Sequence, residues 1–246
     1  MSQSASDPPK PAGQFQATRW SIVLAARERS TPAGEEALGW LCERYWQPLT
    51  TWARAKGLSP EDAEDLVQGF FAQALKGGLV GGAEASRGRF RSYLLGCLEH
   101  HWTDVRRRSS AQKRGGGREP LPLHGHAGKE GIREIPAGRT PEEEYDRAWA
   151  AAVLDRAMAR LKEECDADGH SGRFAVLRIF LDGDRGELPL AGAAKQLGLS
   201  MPAVKSAVHR LRRRMAELVR EEIRGTVQSP DDVEGELRAL FAALRG

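Results

Sequence analysis

Residues 190–209 read LAGAAKQLGLSMPAVKSAVH, a pattern that is typical of a helix-turn-helix. Ala194 is small where two helices must approach closely, and Gly198 lies at the turn, where a positive φ suits glycine. Ser200 offers a hydroxyl that can cap the second helix, and Val204 lies on the side that faces the first. The stretch therefore predicts two helices joined by a tight turn, and it favours an all-α fold.

The second helix of this motif carries a basic face. Its apolar positions continue through Leu211, Met215 and Leu218, which turns the intervening polar residues away from the core. No acidic residue occurs over residues 188–216. Arginine and lysine suit phosphates and guanine edges, whereas serine and histidine make adaptable contacts. We predict that duplex DNA is contacted by Ser200, Lys205, Ser206, His209, Arg210 and Arg213. The alternative is a solvated basic face on an ordinary helical hairpin.

Helix starts recur along the rest of the chain, whereas strand signals are scarce. Ser59, Thr140 and Ser229 are each followed by proline and by an acid three residues on, which places a hydroxyl at N-cap and proline at N1. We predict two small helical domains joined by a flexible linker. Their bounds are a disordered tail over 1–16, a helical block over 17–108, a Gly/Pro-rich linker over 109–141, a second helical block over 142–225 and an amphipathic C-terminal helix over 226–246.

The first block predicts a small helical bundle in which most aromatic residues are core. Pro48 is expected to kink or break one of its helices. Basic residues and imidazoles flank Trp102 near the end of the block, an arrangement that can hold single-stranded nucleic acid by stacking and phosphate contacts. The candidates are Arg89, Arg91, His100, His101, Arg106 and Arg107. The alternative is a solvated helix end, where arginine suits the negative end of the helix dipole.

Composition argues against several other classes of protein. The chain has 246 residues, a net charge of +3 and a mean hydropathy of −0.51. No segment approaches the ~20 apolar residues of a membrane span, and the start lacks a secretory signal, so we expect a soluble, cytoplasmic protein. Three scattered cysteines form neither a disulfide framework nor a zinc-finger spacing, and only His124 and His126 have ligand-like spacing. We expect no enzyme, no catalytic residue, no metal site and no cofactor.

The order of these parts resembles the bacterial sigma factors of the sigma-70 family, most closely the small extracytoplasmic-function (ECF) group. Residues 62–71, DAEDLVQGFF, are similar to the helix that docks on the clamp helices of RNA polymerase. The resemblance implies that the polymerase is contacted by Asp62, Asp65, Gln68 and Phe71. Residues 90–107 are similar to the segment that melts and reads the −10 element, and residues 193–214 to the −35 reader. The resemblance thus assigns the first-block candidates to melted −10 DNA and the second-block candidates to −35 duplex.

This resemblance predicts a subunit that directs promoter-specific transcription initiation and performs no covalent chemistry. Its implied partners are core RNA polymerase, through the clamp helices and the flap, and promoter DNA; an anti-sigma or other regulatory protein is a further option. We expect a monomer in the free state and no membrane association. The alternative function is a stand-alone transcription regulator that binds duplex DNA through the helix-turn-helix. Such proteins usually dimerise to match two half-sites.

The C-terminal helix has two interpretations. Val233, Leu237, Leu240, Phe241 and Leu244 form an apolar stripe behind the predicted Ser229 cap. The stripe either packs on the second block as an additional core element or forms a docking or inhibitory surface for a regulator.

Overall fold

The computed structural model describes residues 32–75, 89–115, 138–181, 190–227 and 232–245. All the regular structure within these ranges is helical, which confirms the predicted all-α fold. The helices are α1 (Pro32–Ala55), α2 (Pro60–Leu75), α3 (Phe90–Gly115), α4 (Pro141–Ala167), α5 (Ser171–Leu177), α6 (Leu190–Leu197), α7 (Met201–Arg224) and α8 (Asp232–Arg245). A 3-10 helix, Arg178–Phe180, follows α5 directly.

Local capping chemistry sets the starts of α2 and α4 as the sequence predicts. The Asp62 N–H donates to Ser59 Oγ at 3.1 Å before α2. Thr140 and Glu143 form a reciprocal capping box at α4: the Glu143 N–H donates to Thr140 Oγ1 at 3.2 Å, and the Thr140 N–H donates to Glu143 Oε2 at 2.8 Å. Each cap satisfies a backbone donor that the first helical turn leaves without a partner. The predicted cap at Ser229 lies outside the described residues, as do the 1–16 tail, residues 116–137 of the linker, and the His124–His126 pair.

One large hydrophobic core includes helices from both predicted blocks. Its largest fully buried side chains include Tyr45 and Trp52 of α1 and Tyr145 and Trp149 of α4. Helix α4 packs along α1 on one side and against α7 and α8 on others. Large aromatic side chains dominate core energetics because each removes much apolar surface from water. The two blocks therefore pack together in this structure, and their behaviour as separate domains stays a prediction.

Two local predictions about the first block are wrong. Helix α1 runs unbroken through Pro48. Tyr45 before the proline and Leu49 and Trp52 after it are all buried, so packing on both sides outweighs a cost of about 3 kcal/mol for proline in a helix interior. The linker also begins later than residue 109, because α3 continues to Gly115. The hydroxyl of Ser110 donates to the Arg106 carbonyl oxygen at 2.8 Å, a bond that is compatible with helical backbone.

The C-terminal helix α8 packs on α4 and α7. Val233, Leu237 and Leu240 are buried in the large core, whereas Phe241 is 53% exposed. The predicted amphipathic helix is therefore present, and the greater part of its apolar stripe is a core element. A helix with the length and hydropathy of a membrane span does not occur in the described ranges.

Candidate nucleic-acid interface

A tight turn joins α6 to α7, and glycine makes it possible. Gly198 has φ of +64°, in the left-handed region where other residues are strained. The Leu199 N–H donates to the Ala194 carbonyl oxygen at 2.9 Å, and the Gly198 N–H donates to that of Lys195 at 3.3 Å. This pair of bonds is the Schellman arrangement that ends a helix at glycine. The predicted turn of the helix-turn-helix is confirmed.

The cap of α7 is also the one that the sequence predicts. Ser200 has extended backbone angles, and its Oγ accepts a hydrogen bond from the Ala203 N–H at 3.4 Å. Pro202 stands in the first turn, where a missing N–H costs nothing. Ser200 is therefore the N-cap of α7. The cap fixes where the helix begins and so the direction in which the next residues project.

A second, smaller core holds α6 and the first half of α7 in place. Ala193 and Ala194 of α6 pack against Val204 and Val208 of α7, with Leu177 of α5 buried beneath them. Because two alanines face the partner helix, the helices can approach closely. We call residues 201–213, the first half of α7, the recognition segment. Its apolar side is seated on α5 and α6, so its opposite side must face solvent.

That opposite side carries four of the six predicted duplex-DNA residues. Lys205, Ser206, His209 and Arg210 are all exposed on the recognition segment. Lys205 and His209 are four residues apart, as are Ser206 and Arg210, so each pair lies on one face of the helix and the two pairs are adjacent. Arg210 Nη1 donates to Ser206 Oγ at 2.8 Å, so this arginine lies along the helix surface. The arrangement can present hydrogen-bond donors to a groove or to phosphates.

Three consecutive arginines that end this stretch have different surroundings. Arg212 donates to the Phe180 carbonyl oxygen through both Nε, at 3.1 Å, and Nη2, at 2.9 Å. Arg213 is highly exposed, and its Nε lies 3.1 Å from Glu217 Oε1. Arg214 makes two bonds to Glu164, at 2.8 and 2.7 Å. Of these three arginines, Arg213 alone makes no polar contact with another helix among the described residues, so its side chain can turn toward a ligand. It is also the one that the sequence predicts to contact DNA.

The Arg214 pairing shifts the acid–base behaviour of its partners. Hydrogen bonds from Arg214 lower the pKa of Glu164 and of Glu217, because they favour the ionised carboxylates. The same hydrogen bonds, led by the one to Glu164, raise the pKa of Arg214. Arg214 thus ties α7 to α4 and belongs to the support of the recognition segment.

The first-block candidates divide into exposed and buried members. His100 and Arg107 are exposed and both approach Asp104, at 3.7 Å and 3.3 Å. The guanidinium of Arg106 lies 5.1 Å from the centroid of the half-buried Trp102 ring. Trp102 and Arg106 form a partly exposed aromatic and basic patch at the C-terminal half of α3, the Trp102 patch, which has the chemistry of a single-strand binding surface. His100 and Arg107 lie on another side of the helix with Asp104, because 3.6 residues per turn place them about 140–160° around its axis from Trp102.

His101 lies on the other side of α3, in the core. It is 8% exposed, its Nδ1 is 2.7 Å from Gln73 Oε1, and its ring packs edge-on near Phe70. Burial, with the nearby Arg108 charge, lowers the pKa of His101, so the neutral imidazole is favoured. Adjacent residues of a helix are about 100° apart around its axis, which explains why His100 and His101 face different surroundings.

Arg89 and Arg91 are engaged with the C-terminal helix. The Glu236 carboxylate of α8 receives Arg89 Nε at 3.0 Å on one oxygen and Arg91 Nε at 3.0 Å on the other. Arg91 is itself buried, pairs with Asp146 as well, and lies 4.4 Å from the centroid of Trp149. Arg91 therefore joins α3, α4 and α8, whereas Arg89 is about half exposed at the edge of this cluster.

The predicted polymerase-binding residues on α2 also divide into exposed and buried members. Asp62, Asp65 and Gln68 are exposed and follow steps of three residues along α2. Phe71 is buried, with its ring stacked on Trp46 at 6.2 Å and edge-on to Phe70 at 5.3 Å. The exposed surface that α2 offers is therefore polar and acidic, and Phe71 packs beneath it.

Two buried carboxylates were not predicted from the sequence. Glu222 is 2% exposed and lies near three guanidiniums, those of Arg44 at 3.5 Å, Arg156 at 3.1 Å and Arg160 at 3.4 Å. Glu236 is 3% exposed. Both acids occupy core-facing positions of amphipathic helices, beside Ile223 and Leu237 respectively. An acidic residue at a position within an apolar stripe is the sequence signal that could have identified these two carboxylates. Such a residue is expected to be buried, and a buried charge must be paired.

Comparison of the chain with known protein families, with curated proteins and with solved structures found no match. No cluster of three or more possible metal ligands occurs in the described part of the chain.

Proposed function

We propose that this chain is an ECF-type sigma factor, which binds bacterial core RNA polymerase and directs promoter-specific initiation. The observation that carries the proposal is the recognition segment. Its apolar side is held by α5 and α6, and its free side presents Lys205, Ser206, His209 and Arg210 to solvent. A helix that enters the major groove needs this division into a seated side and a projecting polar side.

The exposed face of α2 supports the polymerase part of the proposal. Asp62, Asp65 and Gln68 are exposed in a row along α2. Phe71 packs in the core beneath them and stacks on Trp46, which holds the helix in place. In the resemblance, this is the surface that meets the clamp helices. A rigid helix with an acidic outer face suits a docking contact with a basic partner.

The Trp102 patch supports a contact with melted DNA. The Trp102 ring is half-buried against Trp52, with ring centroids 5.7 Å apart, so it is held in place while part of it faces solvent. Arg106 lies over this ring, with its guanidinium 5.1 Å from the ring centroid. A fixed aromatic platform with cations beside it holds unstacked bases and their phosphates.

No covalent step is required of the chain under this proposal. The recognition segment would lie in the −35 major groove, and the Trp102 patch would hold the melted −10 strand. Phosphate contacts release counterions, so duplex affinity should fall with the logarithm of salt concentration by about 0.9 per phosphate neutralised.

Gel filtration with bacterial core RNA polymerase tests the proposal. The wild-type chain should co-elute with the core enzyme, and Asp65→Arg plus Gln68→Arg should abolish co-elution by reversing the exposed face of α2. The matched control is Asp155→Arg plus Glu163→Gln, which adds the same positive charge to exposed positions of α4. The control should still co-elute.

Each result has a distinct meaning. If both double variants still co-elute with the core enzyme, the polymerase contact is not on the exposed face of α2. Absence of co-elution from the wild-type chain, together with duplex DNA binding, would overturn the sigma-factor proposal in favour of a stand-alone regulator. Sedimentation would then be expected to show a dimer.

A further inference from the structure

A groove of about 910 Å³ opens between the start of α3, the start of α4 and the side of α8. Five arginines from the three elements line it: Arg89, Arg91, Arg139, Arg147 and Arg238. Small residues of α8, among them Gly235 and Ala239, line it as well. We call this feature the arginine groove. Its small side chains leave room for a ligand to approach the guanidiniums.

The charges in the arginine groove are only partly neutralised. The acids that line it are Glu143, which accepts the Thr140 N–H, and Asp146, which pairs with Arg91. Among the described residues, no carboxylate lies within ion-pair distance of Arg147 or Arg238. The Nε of Arg238 donates only to a carbonyl oxygen of its own helix, at 3.3 Å. Two exposed guanidiniums are therefore available to an anion.

The buried Glu236, next to the groove-lining Gly235 in sequence, shows how two arginines of this groove hold an anion. Its two carboxylate oxygens each accept one guanidinium, from Arg89 and Arg91, at 3.0 Å. A phosphate group offers oxygens to arginines in the same bidentate manner. Arg91 keeps Asp146 as a second partner, whereas Arg89 is half exposed. Arg89 is thus the guanidinium that could exchange Glu236 for an incoming phosphate.

We propose that the arginine groove binds the phosphate backbone of single-stranded DNA, with Glu236 holding Arg89 until a phosphate replaces it. The inference rests on the proposed function, because it extends the path of the melted strand beyond the Trp102 patch. Arg89 directly precedes α3, and Trp102 lies 13 residues further along the chain, about 20 Å away at 1.5 Å per residue. A strand of about six nucleotides at ~3.4 Å each would span both places, whereas one small anion would reach only one of them.

Fluorescence anisotropy with a short labelled oligodeoxythymidylate tests the arginine groove directly. Arg147→Ala and Arg238→Ala should each weaken binding several-fold and reduce the salt slope by about 0.7, the value for one single-strand phosphate. Both positions are exposed, so neither change should unfold the protein. The matched control is Arg224→Ala, an exposed arginine of α7 outside the groove, which should bind like wild type.

Glu236→Gln tests the exchange. Removing the carboxylate charge should strengthen oligonucleotide binding, because Arg89 no longer has to leave an ion pair. Glu234→Gln, on the same helix but 68% exposed, is the matched control. Thermal unfolding of each variant identifies loss of fold, in which case the two surface arginine variants alone decide the test.

The proposal is overturned if Arg147→Ala and Arg238→Ala bind as tightly as wild type, or if Arg224→Ala loses as much affinity as they do. It is also overturned if the folded Glu236→Gln variant binds no more tightly. None of these results would affect co-elution with core polymerase, so failure of the arginine groove is distinguishable from failure of the proposed function.

Discussion

Arg212 reaches from the recognition segment to the Phe180 carbonyl oxygen, which it binds through two guanidinium nitrogens. This contact fixes the recognition segment relative to the 3-10 helix that follows α5. We predict that Arg212→Ala lowers the free energy of unfolding by about 1 kcal/mol, the usual net contribution of such hydrogen bonds. Urea denaturation measures it. Arg213→Ala, which removes only an exposed pair within one helix, is the control and should change little.

Gly198 gives a prediction about the turn of the helix-turn-helix. An added Cβ would meet no atom within 4 Å, so the cost of Gly198→Ala comes from its positive φ alone. We expect a loss of about 1–2 kcal/mol in the free energy of unfolding. Gly96→Ala is the matched control, since Gly96 lies in mid-helix with open space around it. It should instead stabilise by about 0.5–1 kcal/mol. A stabilising effect at Gly198 would contradict the turn geometry.

The buried Glu222 gives the largest expected loss of stability. Glu222→Ala leaves Arg44, Arg156 and Arg160 without their shared carboxylate. Breaking a buried ion pair by removing one partner costs about 3–5 kcal/mol. Denaturant unfolding should show this loss, while Glu217→Ala, on the exposed side of the same helix, should lose much less. A loss at Glu222 of about the size seen at Glu217 would mean that the cluster is well solvated.

How far the sequence predicts this structure depends on the range of the interactions. The caps at Ser59 and Thr140 and the turn at Gly198 are local, and each was predicted because the donor and the acceptor lie within a few residues. The Arg91–Glu236 pair spans 145 residues, and no local rule selects it. His101 and Phe71 are intermediate cases. Their helices were predicted, but which face of each helix would be buried depended on the packing of α1, α2 and α3.

The same limit applies to the candidate site. The exposed members of the recognition segment were predicted because their apolar neighbours define the buried stripe by spacing alone. The roles of Arg89 and Arg91 were not separable, because both pair with Glu236 of α8 and only Arg91 also contacts Asp146 and Trp149 of α4. Pro48 shows the opposite case, where a strong local preference is overridden by the burial of Leu49 and Trp52.

The pKa of His101 predicts a pH dependence of stability. Because its pKa is lowered in the folded chain, the unfolded chain binds a proton first as the pH falls below about 6.5. The contribution of neutral His101 to the free energy of unfolding is therefore complete above that pH. It decreases as the pH falls further, until His101 is protonated in the folded chain as well. Unfolding measured from about pH 7.5 to about pH 5 should show this decrease. His101→Gln should reduce the decrease, with His100→Gln as the control for removing an imidazole from α3.

Arg210 and Arg214 occupy one helix four residues apart, yet we expect opposite consequences of losing them. Arg210 is exposed and bonds only to Ser206 among the described residues, so Arg210→Ala should weaken duplex DNA binding and leave unfolding unchanged. If it contacts a phosphate, the salt slope should fall by about 0.9. Arg214 is bound to Glu164, so Arg214→Ala should cost about 1 kcal/mol in stability and leave duplex affinity nearly unchanged. Anisotropy with a labelled duplex and urea denaturation, applied to both variants, distinguish the two roles. Equal losses of affinity would mean that general positive charge, and not the exposed face of the recognition segment, attracts DNA.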